Sequence, residues 1–191
     1  MANHQHDTEN ELNLPTNLPI PQDDGGADHL QGMTLPNITL TATNGDAVTL
    51  NAISGTLVIY IYPMTGRPDV ALPDGWEQIP GARGCTPQSC SFRDHYAELQ
   101  TFNTTVFGLS CQSSDYQNEA KSRLHLPFQL LSDEALQMKA ALNLPMMHVA
   151  GMELYKRLTL IIQDGEIVET FYPIFPPDKN IDDVLAWLQR Q

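Results

Sequence analysis

The stretch Gly84-Cys85-Thr86-Pro87-Gln88-Ser89-Cys90-Ser91-Phe92-Arg93-Asp94 opens a helix with a thiol. Pro87 suits a first helical turn. Phe92, Tyr96 and Leu99 continue the pattern at i, i+4 and i+7. A cysteine at a helix start meets unpaired backbone N–H groups and the positive end of the helix dipole. Both favour thiolate, the reactive form, over thiol. Arg83 adds a cation two residues upstream. The bland alternative is a small residue filling space beneath a loop.

The second cysteine bears on that choice. In an ideal helix, residues five apart lie ~7.5 Å along the axis and ~140° around it, which puts their Cα atoms ~8.5 Å apart. A disulfide needs Cα atoms within roughly 7 Å. Cys85 and Cys90 therefore cannot bond while the first turn is wound, and can once it unwinds. A metal site from Cys85, Cys90 and His95 fails on the same geometry, because positions at i, i+5 and i+10 do not converge on one ion. Cys111 follows a strand and reads as a buried small hydrophobe.

Upstream, Leu57-Val58-Ile59-Tyr60-Ile61-Tyr62 is continuous and rich in β-branched residues, the pattern of a strand buried on both faces. Residues 63–84 then break all periodicity with four prolines and four glycines. Loops of that length are functional or disordered, and Trp76 and Ile79 argue for an ordered lid over Cys85. Further upstream, Ile38–Thr41 and Ala47–Leu50 flank Asn44-Gly45, a type I′ hairpin signal. Residues 1–34 read as an acidic extension with few candidates for a core. Within it, Leu14 to Ile20 could lie extended on the surface, and His4 and His6 form an H-x-H pair best read as solvated.

Downstream, Thr105–Ser110 reads as a second buried strand. Ser114 is expected to cap a helix reaching Leu124, with Gln117 in the capping box. Ser132 is expected to cap another through Leu142. Leu158–Ile162 and Ile167–Tyr172 flank Asp164-Gly165 as a second hairpin. Ile181, Val184, Leu185 and Leu188 share one face of a C-terminal helix. These elements predict an α/β fold with a mixed central sheet, helices on both faces and an N-terminal β-hairpin.

Composition bounds function. The chain has 191 residues, with ten Lys and Arg against 23 Asp and Glu, a formal net charge of −13. Such a surface repels nucleic acid and anionic membranes. No run of 18 apolar residues exists. The first basic residue is Arg67, so no secretory signal is expected and the chain reads as cytoplasmic. Three cysteines do not make a disulfide scaffold.

The segment 84–94 resembles the Q-type branch of the peroxiredoxins, also called the bacterioferritin comigratory protein group, whose motif is Gly-Cys-Thr-x-x-(small)-Cys-x-x-Arg-Asp. Leu126–Asp133 is similar to the family's Leu-Pro-Phe-x-Leu-Leu-Ser-Asp. Arg157–Ile162 with Asp164-Gly165 is similar to its Arg-x-Thr-Phe-x-Ile strand and turn. The resemblance runs from about Leu35 to the C-terminus. It implies a thioredoxin-like fold over residues 35–191 and thiol-dependent reduction of hydrogen peroxide or organic hydroperoxides. It implies that Cys85 is the peroxidatic cysteine, Cys90 the resolving one in an intrachain disulfide, and Arg157 the arginine facing thiolate and peroxide. It implies no metal or other cofactor, an external dithiol reductant such as thioredoxin or glutaredoxin, and a monomer or homodimer.

Two departures stand out. The family reads Pro-x-x-x-Thr-x-x-Cys; here the threonine position is Ala82 and the proline position Gln78. Pro63 lies 22 residues before Cys85 instead of seven, so residues 64–83 hold an insertion of 15. Thr65 and Thr86 are the candidates to replace the missing hydroxyl. A thiol–disulfide oxidoreductase and a redox sensor without turnover are the competing readings; the first normally uses Cys-x-x-Cys.

Overall fold

A computed structural model describes residues 12–191. His4 and His6 lie outside the described residues. The sheet is built around β3 (Thr56–Ile61), whose neighbours are β4 (Thr104–Ser110), parallel to it, and β8 (Leu158–Gln163), antiparallel. β5 (Leu130–Ser132) extends β4 in parallel, and the hairpin β1 (Thr39–Ala42) and β2 (Ala47–Thr49) closes that edge. β9 (Glu166–Phe171) closes the other, giving the order β2-β1-β5-β4-β3-β8-β9. A separate two-stranded hairpin, β6 (Met146–Val149) and β7 (Met152–Tyr155), stands off the sheet.

The continuous apolar run of β3 serves both faces because side chains alternate. Leu57, Ile59 and Ile61 pack with Leu40, Met138 and Leu160 on one side. Val58, Tyr60 and Tyr62 pack with Phe92, Val184 and Leu188 on the other. The second face carries α1 (Cys85–Asp94) and α5 (Asn180–Leu188), and the first carries α4 (Gln137–Leu142). Tyr60 stacks on Phe92 with ring centroids 4.5 Å apart, which fixes α1 against the sheet.

Several expectations change at the level of local chemistry. The cysteine helix stops at Asp94, because His95 leaves helical geometry before α2 (Tyr96–Thr101). Ser113, not Ser114, caps α3 (Ser114–Arg123) by accepting from the Tyr116 N–H. Gln117 donates instead to Ser110 Oγ and the Leu131 carbonyl, deep in the core. Ser132 ends β5, and Asp133 takes the amides of Gln137 and Met138 at the start of α4. At Asn44-Gly45 only the glycine has positive φ, so the turn is not type I′; at Asp164-Gly165 both residues do.

The largest difference concerns residues 1–34. The extension reading fails from Asp24 onward, since Ala27 and Leu30 are buried in the main core. Gly32 N donates to the Ile167 carbonyl, Ile167 N donates to that of Met33, and Thr34 bridges Glu166. The acidic residues between hid a short amphipathic segment that docks on β9. Leu30→Ala is expected to cost about 2–5 kcal/mol in denaturant unfolding. A loss below ~1 kcal/mol would mean that this docking does not contribute to the fold.

Candidate active site

Gly84 caps α1 with φ 114°, a left-handed conformation that disfavours any side chain. A Cβ there would sit 2.5 Å from Pro177 Cγ, so the close approach also requires glycine. Gln88 N bonds to the Gly84 carbonyl at 3.0 Å and starts the helix. Cys85 is the first helical residue and is 3% exposed. It therefore sits among the unpaired amides of the first turn, as the sequence predicted.

Arg157, the residue before β8, reaches across from the sheet. Its Nη2 lies 3.2 Å from Cys85 Sγ and 3.1–3.3 Å from the carbonyl oxygens of Gly81, Ala82 and Arg83. Nη1 donates to Gln88 Oε1 at 2.6 Å. Gln88 donates on to Asn180 Oδ1, which also accepts from Thr159 Oγ1. Arg157, Gln88, Thr159 and Asn180 are all nearly inaccessible. Gln88, Asn180 and Thr159 were not singled out from sequence. Gln88 is one turn beyond Cys85, and that spacing was the available signal.

Among the described residues, no carboxylate lies within ion-pair distance of Arg157. Its hydrogen-bond partners are neutral carbonyls, one amide and one sulfur. A buried cation is costly unless paired. Cys85 is the one bonded partner that can become an anion.

Cys90 lies on the same helix, 5% exposed. Burial pushes its thiol above the usual range, against the pull of Arg93. Cys111 is half-buried, with Sγ 3.5 Å from the Glu153 carbonyl, and burial raises its thiol too. Arg93 bonds its neighbour Asp94 and the Leu124 carbonyl, away from Cys85. Among the described residues, no three His, Cys, Asp or Glu side chains cluster as metal ligands would.

Residues 64–83 build a small core together with the β6–β7 hairpin. Trp76, 4% exposed, packs with Met147, Val149 and Leu154 of the β6–β7 hairpin. Met64, Leu72 and Trp76 wall a vestibule over Cys85 whose volume is about 20 Å³, near the space one water needs. Ala82 is fully buried in the same small core. Thr65 N and Oγ1 both donate to Gln112 Oε1, which takes Thr65 out of the site. Thr86 lines the vestibule beside Cys85. No helix is long and apolar enough to cross a membrane among the described residues.

A mixed sheet of this order, with a thiol at the start of a helix on one face, defines a thioredoxin-like fold of the peroxiredoxin kind. The sequence matches the redoxin family over residues 30–185. It is 32% identical over 161 residues to peroxiredoxin Q, chloroplastic, of Oryza sativa subsp. japonica, covering 83% of this chain and 66%, just under two thirds, of that protein. It is 32% identical over 161 residues to the chloroplastic peroxiredoxin Q of Sedum lineare, covering 83% of this chain and 77% of the relative. The structure superposes on peroxidoxin BcpB from Mycobacterium tuberculosis with TM-score 0.67 at 23% identity, covering 85% of this chain and 98% of that one. The chain belongs to the redoxin family, in its peroxiredoxin Q branch.

Proposed function

We infer that this chain is a thiol peroxidase that reduces peroxides at Cys85. One observation carries the reading: the buried Arg157 guanidinium lies 3.2 Å from Cys85 Sγ and, among the described residues, is paired with no carboxylate. A cysteine thiolate is its natural counter-charge. The thiolate attacks one peroxide oxygen, the O–O bond breaks, and charge builds on the departing oxygen. Arg157 and the first-turn amides stabilise that charge. The leaving oxygen takes a proton as water or alcohol, and Cys85 becomes a sulfenic acid. Cys90 then displaces water from it and an intrachain disulfide forms. An external dithiol, such as thioredoxin or glutaredoxin, restores both thiols by exchange.

The narrow vestibule suits a hydroperoxide head, and a bulky organic substituent would require residues 64–83 to move. A cycle that returns Cys85 and Cys90 to thiols suits a reducing compartment, and we take this to be the cytoplasm; the Oryza and Sedum relatives are chloroplastic.

The test is peroxide consumption with a dithiol donor. A thiol–disulfide oxidoreductase would reduce disulfides and leave peroxide untouched; a sensor would react once and stop. Peptide mapping after one equivalent of peroxide is expected to find Cys85 linked to Cys90 within a chain. A Cys85–Cys111 link alone would remove Cys90 from the scheme.

A further inference from the structure

Residues 13–22 cross the turn that precedes Cys85. Arg83 Nη2 donates to the Asn13 carbonyl at 3.3 Å. Leu14 Cδ2 lies 3.1 Å from the place a Cβ on Gly84 would occupy, so it closes on the N-cap of α1. Pro21 Cβ lies 3.5 Å from the corresponding point on Gly81. Leu18 and Pro19 face Ile79 and Phe175 across a crevice too narrow for water.

Downstream, the same segment is rooted. Lys156 Nζ and Tyr172 OH each donate to the Asp24 carboxylate at 2.7 Å, and Leu30 sits in the core. The part over the active-site turn is held less deeply: Leu14, Leu18, Pro19 and Pro21 are half-buried and Ile20 is 64% exposed.

Two reactions compete for a Cys85 sulfenic acid. In closure, the Cys90 sulfur bonds to the Cys85 sulfur, the S–O bond breaks, and water leaves with the thiol proton. In overoxidation, the sulfenic sulfur attacks a second peroxide, its O–O bond breaks, and an alcohol or water leaves behind a sulfinic acid. Closure needs the first turn of α1 unwound, because the wound helix holds the two Cα atoms ~8.5 Å apart. Overoxidation proceeds on the wound turn, where Arg157 still meets the sulfur. A contact made only by the wound state therefore slows closure and favours overoxidation.

We propose that residues 13–22 form an intramolecular strap that holds the Cys85 turn wound and so sets the partition between disulfide closure and overoxidation. This rests on the peroxidase reading and concerns regulation of the same site. Among its contacts are a few half-buried side chains and the Arg83–Asn13 hydrogen bond, and substitutions of those side chains can tune it.

The experiment compares Leu14→Ala and Leu14→Ala/Leu18→Ala with Ile20→Ala, a strap position that faces solvent. In the reduced full-length protein, hydrogen exchange at the amides of Gln88 to Ser91 is expected to quicken about fivefold in Leu14→Ala, and further in the double variant. Ile20→Ala and the amides of β3 should not change. Under turnover, the sulfinic fraction of Cys85 per cycle should fall by a similar factor in the Leu14 variants, with the first oxidation step unaltered. Equal exchange in Leu14→Ala and Ile20→Ala would overturn the strap, whatever the chemistry at Cys85. Faster exchange with an unchanged sulfinic fraction would overturn its role in the partition. If the unsubstituted protein consumes no peroxide, the peroxidase reading fails, and the exchange result still decides whether the strap holds the turn.

Discussion

Cys85→Ser is expected to reduce peroxide turnover to background, a loss of about a thousandfold or more. Serine fits the site, so the fold should persist, but its hydroxyl cannot ionise near neutral pH and is a poor nucleophile toward an O–O bond. The two other thiols do not substitute. Cys90 is buried, its thiol is pushed up, and it is not at the helix start. Cys111 contacts the Glu153 carbonyl on another side of the inserted loop. The measurement is dithiol-coupled peroxide consumption, with unfolding of both proteins run in parallel. Activity retained within tenfold would assign the chemistry to another residue.

The second large effect is expected at Arg157. Arg157→Met should slow the first oxidation of Cys85 by about a hundredfold, since one donor aimed at developing charge is worth ~3 kcal/mol. The same Nη2 also lies on the Gly81, Ala82 and Arg83 carbonyls, so the loop beneath the vestibule loses its tie as well. Arg157→Lys separates the two contributions. It keeps a cation near the sulfur but cannot reproduce the planar fork that meets Gln88 and the loop together. Rapid-mixing oxidation of the reduced protein reads both variants. A rate within threefold of the unsubstituted protein for Arg157→Met would leave the arginine a structural role only.

The parts of this architecture that read clearly in the sequence are those in which one local signal sufficed. β3 announces itself by six consecutive apolar residues, and Cys85 by its place between a Pro- and Gly-rich loop and a helix. Arg157 came from resemblance, since nothing in its neighbourhood marks a strand-end arginine as different from a surface ion pair. The network behind it was hidden for a related reason. Gln88, Asn180 and Thr159 lie 92 positions apart at their extremes and become partners only when α1, β8 and α5 meet on one face of the sheet. The β6–β7 hairpin was missed because Met146–Tyr155 alternates poorly and carries Ala150-Gly151 at its turn, both with positive φ. Its apolar residues are buried by the inserted loop, whose Trp76 lies more than 70 positions upstream. Leu30 was missed because an isolated leucine among aspartates carries no periodicity.

That partnership between Trp76 and the β6–β7 hairpin bears on how this chain can be altered. Residues 64–83 are not a freestanding module. Grafted onto a relative without a matching hairpin, they would expose an indole and its neighbours to water and invite association. Removed from this chain, they would leave Met147, Val149 and Leu154 uncovered in the same way. The two segments, distant in the chain, share one core, so a change that removes one must be compensated in the other.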